Sequence, residues 1–183
     1  FGEIGLRLAR IYEEQIEDFD KAIERYKLVL DRDPENLAAI GALDRLYEHT
    51  ERYRELADIL AREAELAATG DEILQYRFRL GQVRQFRLED VQGAIVAYGE
   101  VIHEMPEHQP ALQALEGMFA AGTEQLRIAE ILEPHYESLA QFEQLAAVYE
   151  AVLAHKNDVA DRMQQYYRLA ELHEERLLAA DSA

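Results

Sequence analysis

Apolar residues fall three and four apart along almost the whole chain. Ile4, Leu8, Ile11, Tyr12 and Ile16 lie on one stripe, and Ala22, Ile23, Tyr26, Val29 and Leu30 lie on the next. That is the spacing of amphipathic α-helices burying one face each. The pattern predicts ten helices: 3–17, a second carrying the 22–30 stripe, then 37–49, 52–68, 72–88, 91–104, 109–120, 124–139, 142–155 and 159–179. The breaks carry the right chemistry. Asp18 or Asp20 can cap the second helix, and Pro34 both disfavours helix in the residue before it and suits the first turn of the next. Thr50-Glu51, Thr69-Gly70-Asp71, Glu89-Asp90, Met105-Pro106-Glu107, Gly122-Thr123 and Asn157-Asp158 supply turn formers, caps or a proline, whereas Ala140-Gln141 supplies none. Pro134 falls inside the 124–139 pattern, where it removes a hydrogen bond and should kink the helix.

The pattern also repeats. Sliding residues 7–43 along the chain by 72 places superposes thirteen identical residues on 79–115, among them Leu8 on Leu80, Ala22 on Ala94, Tyr26 on Tyr98, Val29 on Val101 and Pro34 on Pro106. Self-similarity at a fixed period means one helix-pair unit used several times, each burying its apolar side against its neighbours. The expected fold is therefore all-α, a right-handed α-α superhelix (solenoid) of about ten antiparallel helices. It would form a single array with units near 3–36, 37–70, 71–108, an irregular 109–140, and 141–183. The irregularity is expected because Leu132, Tyr136, Phe142, Leu145 and Tyr149 look like a fresh unit starting one helix early. Arg168-Leu169-Ala170 and Glu174-Glu175 match Arg7-Leu8-Ala9 and Glu13-Glu14, so the last helix restarts the motif and the array is expected to continue past Ala183. The chain opens at Phe1 with helix under way by Ile4, as a piece of something longer would.

Helix pairs of this length with Leu8-Ala9, Tyr12, Ala22, Tyr26, Val29 and Pro34, repeated as Leu80-Gly81, Ala94, Tyr98, Val101 and Pro106, resemble the tetratricopeptide repeat, here as part of a longer bacterial-type array. The resemblance implies packing roles: small residues let paired helices approach and aromatics fill the gap between them. It also implies looser pairing where Asp44 and Glu116 occupy the small-residue slot after Leu43 and Leu115. Arg84 stands where Tyr12 stands in the first unit. Either its stem packs while the guanidinium escapes to water, or it pairs with an acid.

Composition narrows the function. Thirty-seven acids against nineteen bases leave a net charge of −18, which repels phosphate and argues against nucleic acid as a partner. The charges read first as solvated helix faces that keep the array soluble. Sixteen of the bases are Arg, able to hold carboxylates bidentately. No run is apolar enough for membrane insertion. Cys is absent, which removes disulfides and thiol chemistry and leaves the compartment open, with the cytoplasm slightly favoured. His103 and His108 stand five apart across Pro106, the wrong spacing for a zinc-binding helix. Serines are only Ser138 and Ser182, and no phosphate-cradling glycine loop exists. No catalytic residue, cofactor or metal is expected.

The expected function is thus a non-catalytic scaffold that presents a helical groove to a protein or peptide. In the family resembled, the first helix of each unit lines the groove, which makes Arg10, Arg45, His49, Phe78, Gln82 and Phe86 the candidate partner-binding residues. The two phenylalanines would be apolar anchors and the arginines holders of acidic side chains. Chaperone-tail binders in that family carry a Lys/Asn clamp; here those places hold Leu6, Arg10, Gly41, Arg45, Phe78 and Gln82, so that recognition is not expected. Two alternatives remain: a structural spacer that self-associates through its terminal helices, or an accessory region of an enzyme whose catalytic domain lies elsewhere.

Overall fold

The computed structural model describes residues 2–181, with side chains through 176; Leu178, the last residue of the apolar period, and Ser182 fall outside the described side chains. Among the described residues the chain is all-α, ten helices with no strand. They are α1 (Gly2–Ile11), α2 (Phe19–Leu30), α3 (Leu37–His49), α4 (Tyr53–Leu66), α5 (Gly70–Phe86), α6 (Val91–Glu104), α7 (Gln109–Ala120), α8 (Gln125–Ser138), α9 (Phe142–His155) and α10 (Val159–Asp181). Two compact units divide the chain, Phe1–Glu104 and Met105–Ala183.

Caps explain most of the starts. Asp18 accepts from the Lys21 N–H, Asn36 from Ala39, and Asp158 from Ala160 and Asp161, each satisfying free donors of a first turn. Thr69 and Glu72 form a reciprocal capping box at the head of α5. His108, screened above as a metal ligand, instead caps α7, its Nδ1 accepting from the Ala111 N–H at 3.2 Å.

The first predicted helix is not uniform. It is α-helical to Ile11 and then widens into one π turn, Tyr12–Ile16. The extra residue carries the chain into a left-handed Glu17 (φ 58°), after which the Asp18 N–H reaches back to the Tyr12 carbonyl. The same device ends four more helices: Glu51, Glu89, Gly122 and Ala140 have positive φ, and the N–H of the next residue bonds a carbonyl in the last helical turn. This is the left-handed helix stop. It accounts for Ala140-Gln141, the one break without a turn-forming residue: Ala140 takes the strained conformation (φ 52°) and Gln141 donates to Tyr136.

These left-handed stops alternate with proline or extended turns up to α7, and the alternation is interrupted at α8, which has a left-handed stop at both ends. Helix α8 spans the bounds of α4 displaced by 72 and continues through Pro134. It also plays the role of α1, because Tyr136 and Glu137 stand to Tyr149 much as Tyr12 and Glu13 stand to Tyr26.

The core of the first unit takes the predicted stripe of α2, Ala22, Ile23, Tyr26, Val29 and Leu30, but not that of the first helix, where Ile4, Leu8, Ile11 and Ile16 are exposed and Ala9, with Tyr12 partly buried, makes the contact instead. Tyr26, Leu43, Leu56, Leu60, Ile95 and Tyr98 are almost fully buried. Ala9 is buried against this cluster, and Gly81 holds the equivalent place against Tyr98: a Cβ there would lie 2.5 Å from the Tyr98 ring. The tyrosine hydroxyls are not orphaned. Tyr26 donates to Glu13 at 2.7 Å, Tyr98 to Gln85 at 2.8 Å and Tyr149 to Glu137 at 2.8 Å.

Arg84 resolves in favour of pairing. Its Nη1 donates to the Gly93 carbonyl at 3.2 Å and its Nε lies 3.8 Å from Asp90, so it ties the end of α5 to the start of α6. Gly93 leaves the room, since a Cβ would stand 2.8 Å from Arg84 Cδ.

Candidate protein-binding cleft

Within the first unit, α3, α4 and α5 enclose a cleft of about 450 Å³ lined by Glu48, Tyr53, Leu56, Arg79, Gln82, Val83, Phe86 and Arg87. Its floor is apolar, Leu56 and Val83, and its rim is polar. Phe86 stands at the lip, 67% exposed, a large apolar surface left in water at the last position of α5. The Arg87 guanidinium lies 5.0 Å from the Tyr53 ring centroid, a cation–π contact that orients both walls. Arg79 forms the inner wall. Its Nη1 and Nη2 donate to the two Asp44 oxygens at 2.8 and 3.0 Å, and Nη2 also reaches Glu48 at 3.1 Å. Such a bidentate pair has fixed geometry, and it raises the Arg79 pKa further above its ordinary value.

The predicted binding residues divide. Gln82 and Phe86 meet in this cleft. Arg45 is exposed, bonding Glu13 at 3.2 Å and the Gly41 carbonyl at 3.1 Å, and Arg10 is exposed on α1. Both arginines act on the Tyr26 hydroxyl. His49 sets its ring edge against Phe19, centroids 4.8 Å apart. Phe78 does not line the cleft; it is half-buried with its ring 5.7 Å from Tyr98, because its place on α5 faces the helix pair rather than water.

Two acids read as signs of looser pairing are satisfied polar contacts. Asp44 receives Arg79, and Glu116 receives the Tyr136 hydroxyl at 2.6 Å. Opposite each stands a buried titratable group: Glu63 on α4, 7% exposed, and His135 on α8, 5% exposed. Burial, with the Asp44 charge second, pushes the Glu63 carboxyl up to about 7 from 4.5, while Arg79 opposes the shift. Burial pushes the His135 imidazole down, opposed by Glu116. The signal was available. Leu56, Leu60 and Glu63 follow i, i+4, i+7, as do Ile128, Leu132 and His135, so each polar residue sits on a core stripe.

A second, more apolar cleft of about 530 Å³ lies along α1 and α2, lined in part by Ile4, Leu8, Leu28 and Val29. Among the described residues no group of His, Cys, Asp or Glu is placed to hold a metal, and no helix is long and apolar enough to cross a membrane.

Comparison with known proteins places the first helix pair. Residues 6–38 match the family model described as tetratricopeptide repeat. A solved structure described as the crystal structure of MamA protein is similar at 20% identity, covering 96% of this chain and 93% of that one, with a TM-score of 0.49. No curated protein matches the chain. The family model thus matches α1 and α2 as one tetratricopeptide repeat, and the Leu, Ala, Tyr, Val and Pro positions of that pair return 72 residues later.

Proposed function

We propose that the chain is a protein-interaction scaffold whose first unit takes a peptide or protein segment in the α3–α4–α5 cleft. The observation that supports this is Phe86, an aromatic left 67% exposed at the lip of a cleft with an apolar floor. Exposed aromatics beside concave apolar surface are the usual anchors of protein interfaces. Gln82 and Arg87 add hydrogen-bond donors at the rim for the polar part of such a segment. Tetratricopeptide repeats generally serve as non-catalytic interaction modules, and the cleft's chemistry fits that role: it holds no nucleophile beside a base.

The test is capture of partners by the chain in its native parent protein, with a photo-crosslinking amino acid at Phe86 to mark what enters the cleft. Phe86→Ala should weaken the crosslinked partner about tenfold or more, as truncating an interface anchor does, while leaving the helical signal unchanged. Undiminished binding by folded Phe86→Ala and Gln82→Ala variants would remove the cleft from consideration.

A second reading, self-association through the terminal helices, draws on a different observation. Ile4 is 71% exposed on α1, and Val159 and Tyr167 are 74% and 65% exposed on α10. Sedimentation equilibrium separates the readings: a concentration-dependent mass that Tyr167→Ala abolishes and Phe86→Ala does not would favour self-association.

A further inference from the structure

Glu63 lies in the interior between three helices, and its Oε2 has no hydrogen-bonding partner among the protein's groups. The groups that face it come from both neighbours of α4. Asp44 stands on α3, with Glu48 beside it through Arg79, and Arg79 and Tyr76 stand on α5, with Glu72 acting on Tyr76. A single guanidinium therefore answers three carboxyl groups. Its bonds to Asp44 and Glu48 already leave that trio at one net negative charge, with Glu48 facing solvent, and an ionised Glu63 would add a second negative charge on the buried side of the cluster, where its Oε2 is shielded from water. Buried charge of one sign without a partner is costly, so the packing favours the neutral form of Glu63.

We propose that Glu63 is a proton-operated latch on the first unit. Protonated, it leaves Arg79 on Asp44 and Glu48; on releasing its proton to solvent it competes with Asp44 for Arg79 and shifts the cleft wall that Arg79 forms. The connection to the cleft is direct, because Arg79 lines it together with Gln82, Val83 and Phe86. The latch follows from the packing of α3, α4 and α5 and stands whether or not a partner occupies the cleft.

Carboxyl 13C and arginine Nε NMR titrations of the full chain test it. Glu63 should titrate at least one pH unit above the exposed glutamates, and the Arg79 Nε and Phe86 ring signals should move with the same midpoint. Arg79→Gln should raise the Glu63 midpoint, and Asp44→Asn should lower it by removing a like charge and freeing the guanidinium. In Glu63→Gln, a neutral isostere, the Arg79 and Phe86 inflections should vanish. The latch is overturned by a Glu63 that titrates with the exposed glutamates, by Arg79 signals unmoved through the Glu63 midpoint, or by an Arg79 inflection that survives in Glu63→Gln. Loss of the cleft's binding role would show separately, as capture unaffected by Phe86→Ala with these titrations intact.

Discussion

Single side chains decide whether paired helices can close. Tyr26 and Tyr98 fill the space between helices of a pair at 1% and 0% exposure, so truncation to Ala should cost roughly 3–5 kcal/mol each in denaturant melts, as for other large-to-small core changes. Glu14→Gln, on an exposed face, should stay within about 0.5 kcal/mol of the parent. Gly81→Ala asks the converse question, since its new methyl would meet the Tyr98 ring. Overpacking of about 1–3 kcal/mol should outweigh the roughly 1 kcal/mol of helix propensity gained, giving net destabilisation. The buried Glu63 adds a pH term. Its folded carboxyl is raised to about 7 from 4.5, so across that window the folded chain keeps a proton that the unfolded chain has released. Stability from this residue is full below the unfolded value, falls as pH rises through the window, and is flat above. Glu63→Gln should flatten that slope and leave the protein more stable than the parent at pH 8, by roughly 1–3 kcal/mol; equal slopes in urea melts at several pH values would contradict it.

Elements are punctuated by backbone strain as much as by caps. Ala140 ends α8 in a left-handed conformation (φ 52°) that glycine adopts freely. Ala140→Gly should therefore stabilise the second unit by about 0.5–1 kcal/mol despite glycine's larger unfolded-state entropy; a loss of stability would mean the Ala140 methyl makes contacts worth more than the strain. Ten helices and most of their ends were legible in the sequence because helical periodicity and capping are local. Phe86 and Gln82 were legible as groove candidates for the same reason: each lies off the apolar stripe of one helix. The packing of Phe78 was not legible, because it depends on Tyr98, twenty residues on. The partners of Asp44 and Glu116 were not legible either, since each contact spans separate helices: Arg79 lies 35 residues from Asp44 and Tyr136 lies 20 from Glu116. The π turn at Tyr12–Ile16 buries none of its residues and leaves Ile16 exposed, a local change of helical phase that the regular apolar spacing did not show.

Across the molecule, the 72-residue repeat sets the same polar arrangement twice and fills it with opposite chemistry. Asp44 faces Glu63 in the first unit, and Glu116 faces His135 at the equivalent positions of the second. His135 is buried at 5% exposure with its Nε2 unpartnered, and burial lowers its pKa below 6.5. Below pH 6.5 the unfolded chain binds a proton that folded His135 resists, so the second unit loses stability as pH falls through that region. The first unit loses stability as pH rises from 4.5 towards 7 through Glu63. The stability of the first unit relative to the second is therefore expected to fall as pH rises, as can happen between elements of a repeat array with their own local stabilities. Hydrogen exchange read by mass spectrometry at pH 5.5 and pH 8 checks this, with protection factors taken relative to the intrinsic rate at each pH. Protection of α3–α5 should be relatively greater at pH 5.5 and that of α7–α9 relatively greater at pH 8, with Glu63→Gln removing the first difference and His135→Phe the second. Were both units to gain or lose protection together, with neither variant changing the pattern, the net charge of −18 rather than these two buried groups would govern the response of the array to pH.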